Sequence, residues 1–97
     1  HPWANLVIFD DVGAKETDNS YKTVGSVRNQ ESALVTGVLI EGAVYNAEGK
    51  IIGCRVGPSA DNSLTPQQTS PFELFYSYDS DYSKVTTYRL QADGLKQ

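Results

Sequence analysis

The 97-residue chain has one cysteine, one histidine and no methionine. A single cysteine, Cys54, excludes an intrachain disulfide framework and a cysteine-based zinc site. The chain also lacks any run approaching the ~20 apolar residues of a membrane span, and no signal-peptide pattern remains. We therefore expect no membrane insertion by this segment, and we interpret the chain as a mature or excised domain whose export signal, if any, has been removed.

Basic residues are scarce as well. The chain has 8 Lys and Arg against 12 Asp and Glu, a formal net charge of −4, and its basic residues form no run. A nucleic-acid-binding surface neutralises phosphates with clustered Lys and Arg, so this balance argues against a nucleic-acid partner. The lone imidazole belongs to His1, and an amino-terminal copper site needs a second imidazole or a His where Trp3 stands. We predict no metal site and no cofactor, and we interpret His1 as a plain terminal residue or a cloning remnant.

Aromatic and β-branched residues are what the chain does contain. Six Tyr and three Phe favour a β-rich core, and the length fits one domain spanning residues 1–97. Alternating apolar patterns predict strands at residues 5–11, 21–29, 33–45, 50–56, 71–78 and 84–92. Polar loops are predicted at residues 15–20 and 57–62 and a turn at residues 79–81, and no convincing helix is present. We therefore predict an all-β, immunoglobulin-like or transthyretin-like antiparallel β-sandwich of six to seven strands.

Two glycines have predicted conformational roles. Gly25 lies in the middle of a strand, which indicates a bulge or the close approach of another backbone. Gly49 ends the short connection at residues 46–49 and is expected to take the positive φ of a hairpin turn. Cys54 falls within a predicted strand, and we interpret it as a small buried core residue.

Three segments carry a family resemblance: Val-Gly-Ser-Val-Arg-Asn at 24–29, Gly-Ala-Val-Tyr-Asn at 42–46 with the hairpin after it, and Leu-Thr-Pro at 64–66 leading to Phe72. In this order the chain resembles the FxLYD domain family over residues 21–92. The matching positions are Gly25, Asn29, Val44, Tyr45, Asn46, Gly49, Leu64, Pro66 and Phe72. The resemblance implies a non-catalytic accessory β-sandwich of an exported or cell-surface prokaryotic protein, located outside the cell or in the cell envelope.

The chain departs from the family pattern at two positions. Gly42 stands where the family has a large apolar residue, and Gln67 stands where it has glycine after the turn proline. Other side chains must fill the space beside Gly42, and we predict that Tyr21, Trp3 or Tyr88 does so.

Acidic pairs are the first candidate site. Asp10–Asp11 and Asp79–Asp81 could supply oxygen ligands to calcium or the two carboxylates of a glycosidase. Aspartates in turns more often cap backbone N–H groups, and we favour that interpretation. A hydroxyl nucleophile needs an activating base, and the chain has no internal imidazole, so we expect no enzyme activity.

Aromatic residues are the second candidate site. On the strand after Pro71, one face is shared by Phe72, Leu74, Tyr76 and Tyr78. Phe75 lies on the other face, where it either packs under a neighbouring element or is exposed. We predict a possible interaction surface formed by Phe75, Tyr82 and Tyr88 that binds an unknown protein partner or a neighbouring domain. The alternative is a ligand-binding module for carbohydrate or calcium.

The apolar strand at residues 72–78 contains one charged residue, Glu73. An unprotected strand of this kind attracts another strand when it lies at the edge of a sheet. We predict that it is either central in its sheet or paired with a second copy or a partner domain, so that the chain is a monomer or a weak homodimer.

Overall fold

The computed structural model describes residues 4–17, 19–77 and 82–97. Its strands, in chain order, are β1 (Leu6–Thr17), β2 (Ser20–Asn29), β3 (Val35–Tyr45), β4 (Ile51–Pro58), β5 (Thr69–Ser77) and β6 (Thr87–Lys96). They form two antiparallel three-stranded sheets, with the orders β1-β2-β5 and β4-β3-β6. A 3-10 turn, Tyr82–Lys84, precedes β6. The predicted antiparallel all-β sandwich is confirmed, with six strands.

The ends of the strands differ from the predicted ends where polar residues extend the backbone hydrogen bonding between two strands. β1 runs to Thr17 through a segment predicted as loop, because Ala14 and Lys15 pair with Lys22 and Tyr21 of β2. Backbone pairing of this kind does not require apolar side chains. The predicted turn at residues 79–81 lies outside the described residues. In the ranges that the structure describes, no helix is long and apolar enough to cross a membrane.

Alternate residues of the central and edge strands form the core between the sheets. Val38, Ile40 and Val44 of β3 are fully buried. From the other sheet, Phe72, Leu74 and Tyr76 of β5 face them and are also buried. The face of β5 that the sequence predicts to be shared by Phe72, Leu74 and Tyr76 is therefore the core face, and Tyr78 lies outside the described residues. The core is completed by Tyr21, Val27, Val35, Leu64 and Tyr82.

The space beside Gly42 is filled by Leu74 and Tyr76 of β5, so the prediction of Tyr21 or Tyr88 as the filler is wrong. A Cβ at Gly42 would collide with the hydroxyl of Tyr76 and lie 2.9 Å from Leu74 Cδ1. The Tyr76 hydroxyl and Thr23 Oγ1 share a hydrogen bond of 3.2 Å, which satisfies a buried polar group. A missing side chain on one sheet is thus balanced by a large one on the facing sheet.

The rings of Tyr21 and Tyr88 lie elsewhere, against Gly13 of β1. A Cβ at Gly13 would lie 2.8 Å from the Tyr88 ring and against the Tyr21 hydroxyl. Tyr21 also meets Tyr76 edge to face, with ring centroids 6.1 Å apart. Trp3, the third predicted filler, lies outside the described residues.

Gly25 of β2 faces a bulge in the neighbouring strand β1. The β1–β2 register shifts between Phe9 and Val12, so that Asp10 and Asp11 together oppose Gly25. Asp10 has a φ of 55°, and a Cβ at Gly25 would lie 3.1 Å from the Asp11 Cα. The predicted close approach of another backbone is therefore confirmed at Gly25, and the bulge that brings it close lies in the neighbouring strand.

Candidate interaction surface

Asn29 joins two of the sequence segments that carry the family resemblance. Its side chain is fully buried, and Nδ2 donates hydrogen bonds of 2.9 Å to the carbonyl oxygens of Ala33 and Leu64. Its Oδ1 accepts a hydrogen bond of 2.8 Å from the Glu31 N–H. Val35 and Leu64 also exchange backbone hydrogen bonds of 2.9 and 2.8 Å. The end of β2 is therefore attached to the start of the turn that leads into β5.

That turn has the geometry of a type II turn. Pro66 takes the second position, Gln67 follows with a φ of 66°, and Gln68 N–H donates to Thr65 O at 3.0 Å. Glycine is the residue that this third position favours, because a positive φ brings Cβ close to the backbone. The position at which the chain departs from the family pattern is thus one where glutamine is strained.

The hairpin between β3 and β4 is held by Asn46. Its Oδ1 accepts hydrogen bonds from the N–H groups of Glu48 (2.9 Å) and Lys50 (3.0 Å). Gly49 has a φ of 79°, which confirms the predicted positive value. Val44 is buried beneath this hairpin, and Tyr45 lies on the outer face of the sheet. Like Asn29 and Pro66, these residues stabilise the conformation of a connection between strands.

The aromatic residues predicted to share one exposed patch are separated. Phe75 is 43% exposed on the outer face of the first sheet, whereas Tyr82 is buried against Gly53 of β4. Tyr82 belongs to the 3-10 turn, which directs its ring back into the sandwich. The predicted common patch is therefore wrong, and Phe75 is its one member on that outer face.

Tyr88 links the two sheets through its hydroxyl, which donates a hydrogen bond of 2.8 Å to Asp11 Oδ2. Burial of the ring, followed by the hydrogen bond to Asp11 and the negative charge of that carboxylate, raises the pKa of Tyr88 to about 12. The Asp11 carboxylate is thus engaged by a phenol. Within residues 4–17, 19–77 and 82–97, no group of three or more His, Cys, Asp or Glu could hold a metal ion. His1 and the Asp79–Asp81 pair lie outside these ranges.

Cys54 is exposed, so its prediction as a buried core residue is wrong. Two glycines of β4, Gly53 and Gly57, lie on the opposite face of the strand and face the core. A Cβ at Gly57 would lie 3.1 Å from Leu74 Cδ2. Cys54 lies between them in sequence and pairs with Ala43 on the outer face. Because successive side chains of a strand point to opposite faces, Cys54 points away from the core that Gly53 faces.

Two open depressions mark the outer surface. One, of about 590 Å³, lies on the β4-β3-β6 sheet over Ala43 and is lined by Glu41, Tyr45, Arg89 and Gln91 among others. Tyr45 was predicted as a structural residue, and the other three were not predicted, because their proximity depends on strand register.

The second depression, of about 640 Å³, lies beside the start of β5 and is lined in part by Val24, Pro58, Pro71 and Glu73. Its mouth adjoins the edge of the first sheet.

β5 is an edge strand of the first sheet, so the prediction that the apolar strand at residues 72–78 is central is excluded. The Pro71 carbonyl accepts a hydrogen bond of 2.8 Å from Ala60 N–H, on the side away from β2. Backbone groups of an antiparallel strand alternate in direction, so Glu73, Phe75 and Ser77 also direct their N–H and C=O groups away from β2. In the part of the chain that the structure describes, the backbone groups of Glu73 and Phe75 have no partner on that side.

Other edge strands carry features that discourage pairing. β1 contains the bulge and the charged residues Lys15 and Glu16, and β6 carries Arg89 and Lys96. Interior glycines weaken β4 as a pairing strand. β5 has Glu73 as its one charged residue and no bulge in its pairing with β2. The free edge of β5 is therefore the part of this surface that favours backbone pairing with another strand.

Lys22 of β2 is the immediate neighbour of Phe75 on the outer face. Its Nζ lies 2.9 Å from Glu16 Oε1 and 3.9 Å from Glu73 Oε2. The hydrogen bond to Glu16 and the charges of Glu16 and Glu73 raise the pKa of Lys22. The charge next to Phe75 is therefore neutralised within the domain. Sequence alone did not indicate Lys22, because its position beside Phe75 depends on register.

Comparison of the chain with protein-family models, with curated proteins and with solved structures found no match.

Proposed function

We propose that this chain is a non-catalytic accessory domain that binds another polypeptide by adding an extended segment of it to the free edge of β5. The observation that carries the proposal is the row of outward N–H and C=O groups at Glu73 and Phe75, with the Phe75 side chain 43% exposed beside it. In strand addition, main-chain hydrogen bonds supply affinity and alternate side chains supply specificity.

The surroundings of the edge support an apolar partner segment. Phe75 offers an aromatic surface on the outer face, and the depression lined by Val24, Pro58 and Pro71 offers a place for an apolar side chain of the incoming strand. Aromatic anchors of this kind contribute strongly to interfaces. The resemblance to the FxLYD family supports placing the domain in an exported or cell-surface prokaryotic protein.

A displayed library of eight-residue peptides, selected against the native domain, tests the proposal. Selected peptides should show alternating apolar residues and should lose binding at least tenfold to the variant Phe75→Lys. The matched control is Val12→Lys, which replaces another exposed apolar residue of the same sheet, 58% exposed. Amide hydrogen exchange should show new protection at residues 73–77. Selected peptides that bind Phe75→Lys and wild type equally, or that protect other strands, would overturn the proposal.

Carbohydrate binding is a second candidate, and the depression on the β4-β3-β6 sheet favours it. Tyr45 provides a ring beside the small Ala43 floor, and Glu41, Arg89 and Gln91 provide hydrogen-bonding groups around it. Such pockets combine an apolar surface with a few polar groups that orient the ligand. In a titration with simple glycans followed by NMR, shifts at these residues that disappear in Tyr45→Ala would support this function. An absence of shifts with all glycans would exclude the tested sugars.

A further inference from the structure

We infer that the segment that pairs with the β5 edge is β5 of a second copy of this chain, in an antiparallel, two-fold symmetric arrangement centred on Phe75. The inference rests on the proposed function, since it names the partner of the same edge. The two sandwiches would share one continuous six-stranded sheet in the order β1-β2-β5-β5-β2-β1.

The available backbone groups determine the register. At the start of β5, the Pro71 carbonyl already accepts from Ala60, which lies beside the edge at that position. Three residues, Glu73, Phe75 and Ser77, direct their backbone groups outward beyond it. The Ser77 carbonyl accepts from Tyr82 Oη at a long 3.5 Å, and a carbonyl oxygen has a second lone pair. A two-fold pairing that uses all three residues must be centred on the middle one.

In this register each Phe75 lies opposite its symmetry mate, and each Glu73 lies opposite Ser77 of the other copy. About six interchain backbone hydrogen bonds result, since each outward pair exchanges two. A pairing centred on Glu73 would instead oppose two carboxylates directly, which destabilises a strand pair. It would also direct Phe75 of each copy against Pro71, which has no N–H and whose carbonyl is already bonded.

The side chains on the outer face are self-complementary in the same register. The order across the interface is Lys22, Phe75, Phe75 and Lys22, and aromatic pairs directly opposite each other stabilise antiparallel strands. Each Lys22 is already paired with Glu16 at 2.9 Å in its own domain, so the two lysines do not bring uncompensated like charges together. The second copy therefore matches the edge in backbone groups, aromatic surface and charge.

The size of the contact predicts a weak, reversible dimer. One strand pair buries much less than the ~1,200–2,000 Å² of a stable interface. Each copy carries a formal charge of −4, so the two copies repel each other at long range, and salt screens this repulsion. Dimerisation should therefore strengthen as ionic strength rises.

Sedimentation equilibrium over a range of protein and salt concentrations tests the inference. Wild type should dimerise reversibly, Phe75→Lys should weaken the dimer at least tenfold, and the control Val12→Lys should leave it unchanged. Circular dichroism establishes that each variant is folded. Equal dimerisation of wild type and Phe75→Lys would overturn the inference.

Disulfide trapping tests the register separately. In a Cys54→Ser background, Phe75→Cys places two thiols opposite each other with Cα atoms about 5.5 Å apart, within the range that a disulfide spans. With oxidised glutathione as the electron acceptor, this variant should form a covalent dimer much faster than Glu73→Cys or Val12→Cys. Faster trapping of Glu73→Cys would overturn the register centred on Phe75.

The two proposals fail in distinguishable ways. A wild-type protein that stays monomeric while selected peptides protect the amides of residues 73–77 would overturn the second-copy inference and leave the proposed function in place. A protein that neither dimerises nor binds any selected peptide at this edge would overturn both.

Discussion

Replacing Asn29 by aspartate tests the polar contact that joins β2 to the turn before β5. The fully buried amide donates two hydrogen bonds of 2.9 Å, to the carbonyl oxygens of Ala33 and Leu64. An ionised carboxylate has no proton to donate, so both bonds are lost and its oxygens face two carbonyl oxygens instead. The accepted bond from Glu31 N–H can remain.

The magnitude follows from these contacts. The two lost bonds cost about 2 kcal/mol, and the uncompensated charge brings the total loss in the free energy of unfolding to about 3–5 kcal/mol. A small domain has about 5–15 kcal/mol in total, and the midpoint of thermal unfolding should fall by more than about 10 °C. Urea unfolding at neutral pH, with both variant and wild type, measures the difference.

The second asparagine provides the control. Asn46 uses its side-chain oxygen to accept from Glu48 N–H and Lys50 N–H and lies at the surface, so Asn46→Asp keeps both bonds. Its effect should stay within about 0.5 kcal/mol. Because burial raises the pKa of a carboxyl group, Asn29→Asp should also recover stability relative to Asn46→Asp as the pH falls and the group is protonated. A loss below about 1 kcal/mol for Asn29→Asp, or equal losses for the two variants, would refute the assigned role of the Asn29 amide.

Three further predictions address single positions. Gln67→Gly should raise the free energy of unfolding by about 0.5–1 kcal/mol, because it relieves the strain of a φ of 66° at only the entropic cost of glycine. The control Ala47→Gly changes an exposed turn residue without a positive φ and should lower the free energy of unfolding. Equal effects of the two variants in urea unfolding would contradict the turn geometry. The pKa of Tyr88 is raised from 10.0 to about 12, so its stabilising contribution is complete below pH 10 and is lost as the pH rises from 10 to 12. Wild type should therefore lose more stability over that interval than Tyr88→Phe, and parallel pH profiles would show that neither burial nor the bond to Asp11 raises this pKa. Cys54 should react with a thiol reagent in the native protein nearly as fast as in urea, whereas native labelling slower by a factor of one hundred would show that the thiol is covered.

The sequence by itself determined the all-β class, the approximate positions of the six strands and the apolar face of β5. Alternation at Phe72, Leu74 and Tyr76 correctly predicted the core face of β5, and the turn residues correctly predicted the positive φ of Gly49. These features are local, since side-chain alternation and the steric demands of a turn act over a few neighbouring residues. The mid-strand position of Gly25 likewise predicted the close approach of another backbone, which is that of Asp11.

Only the tertiary structure decided where each strand lies in its sheet. The same alternating pattern fits a central strand or an edge strand, so the free edge at Phe75 depends on the sheet order β1-β2-β5. Cys54 is exposed because its strand turns two glycines toward Leu74 and Tyr82, and the Gly42 space is filled by Tyr76 from the facing sheet. These outcomes depend on contacts between residues distant in sequence, whose register and packing are set when the two sheets close on a common core.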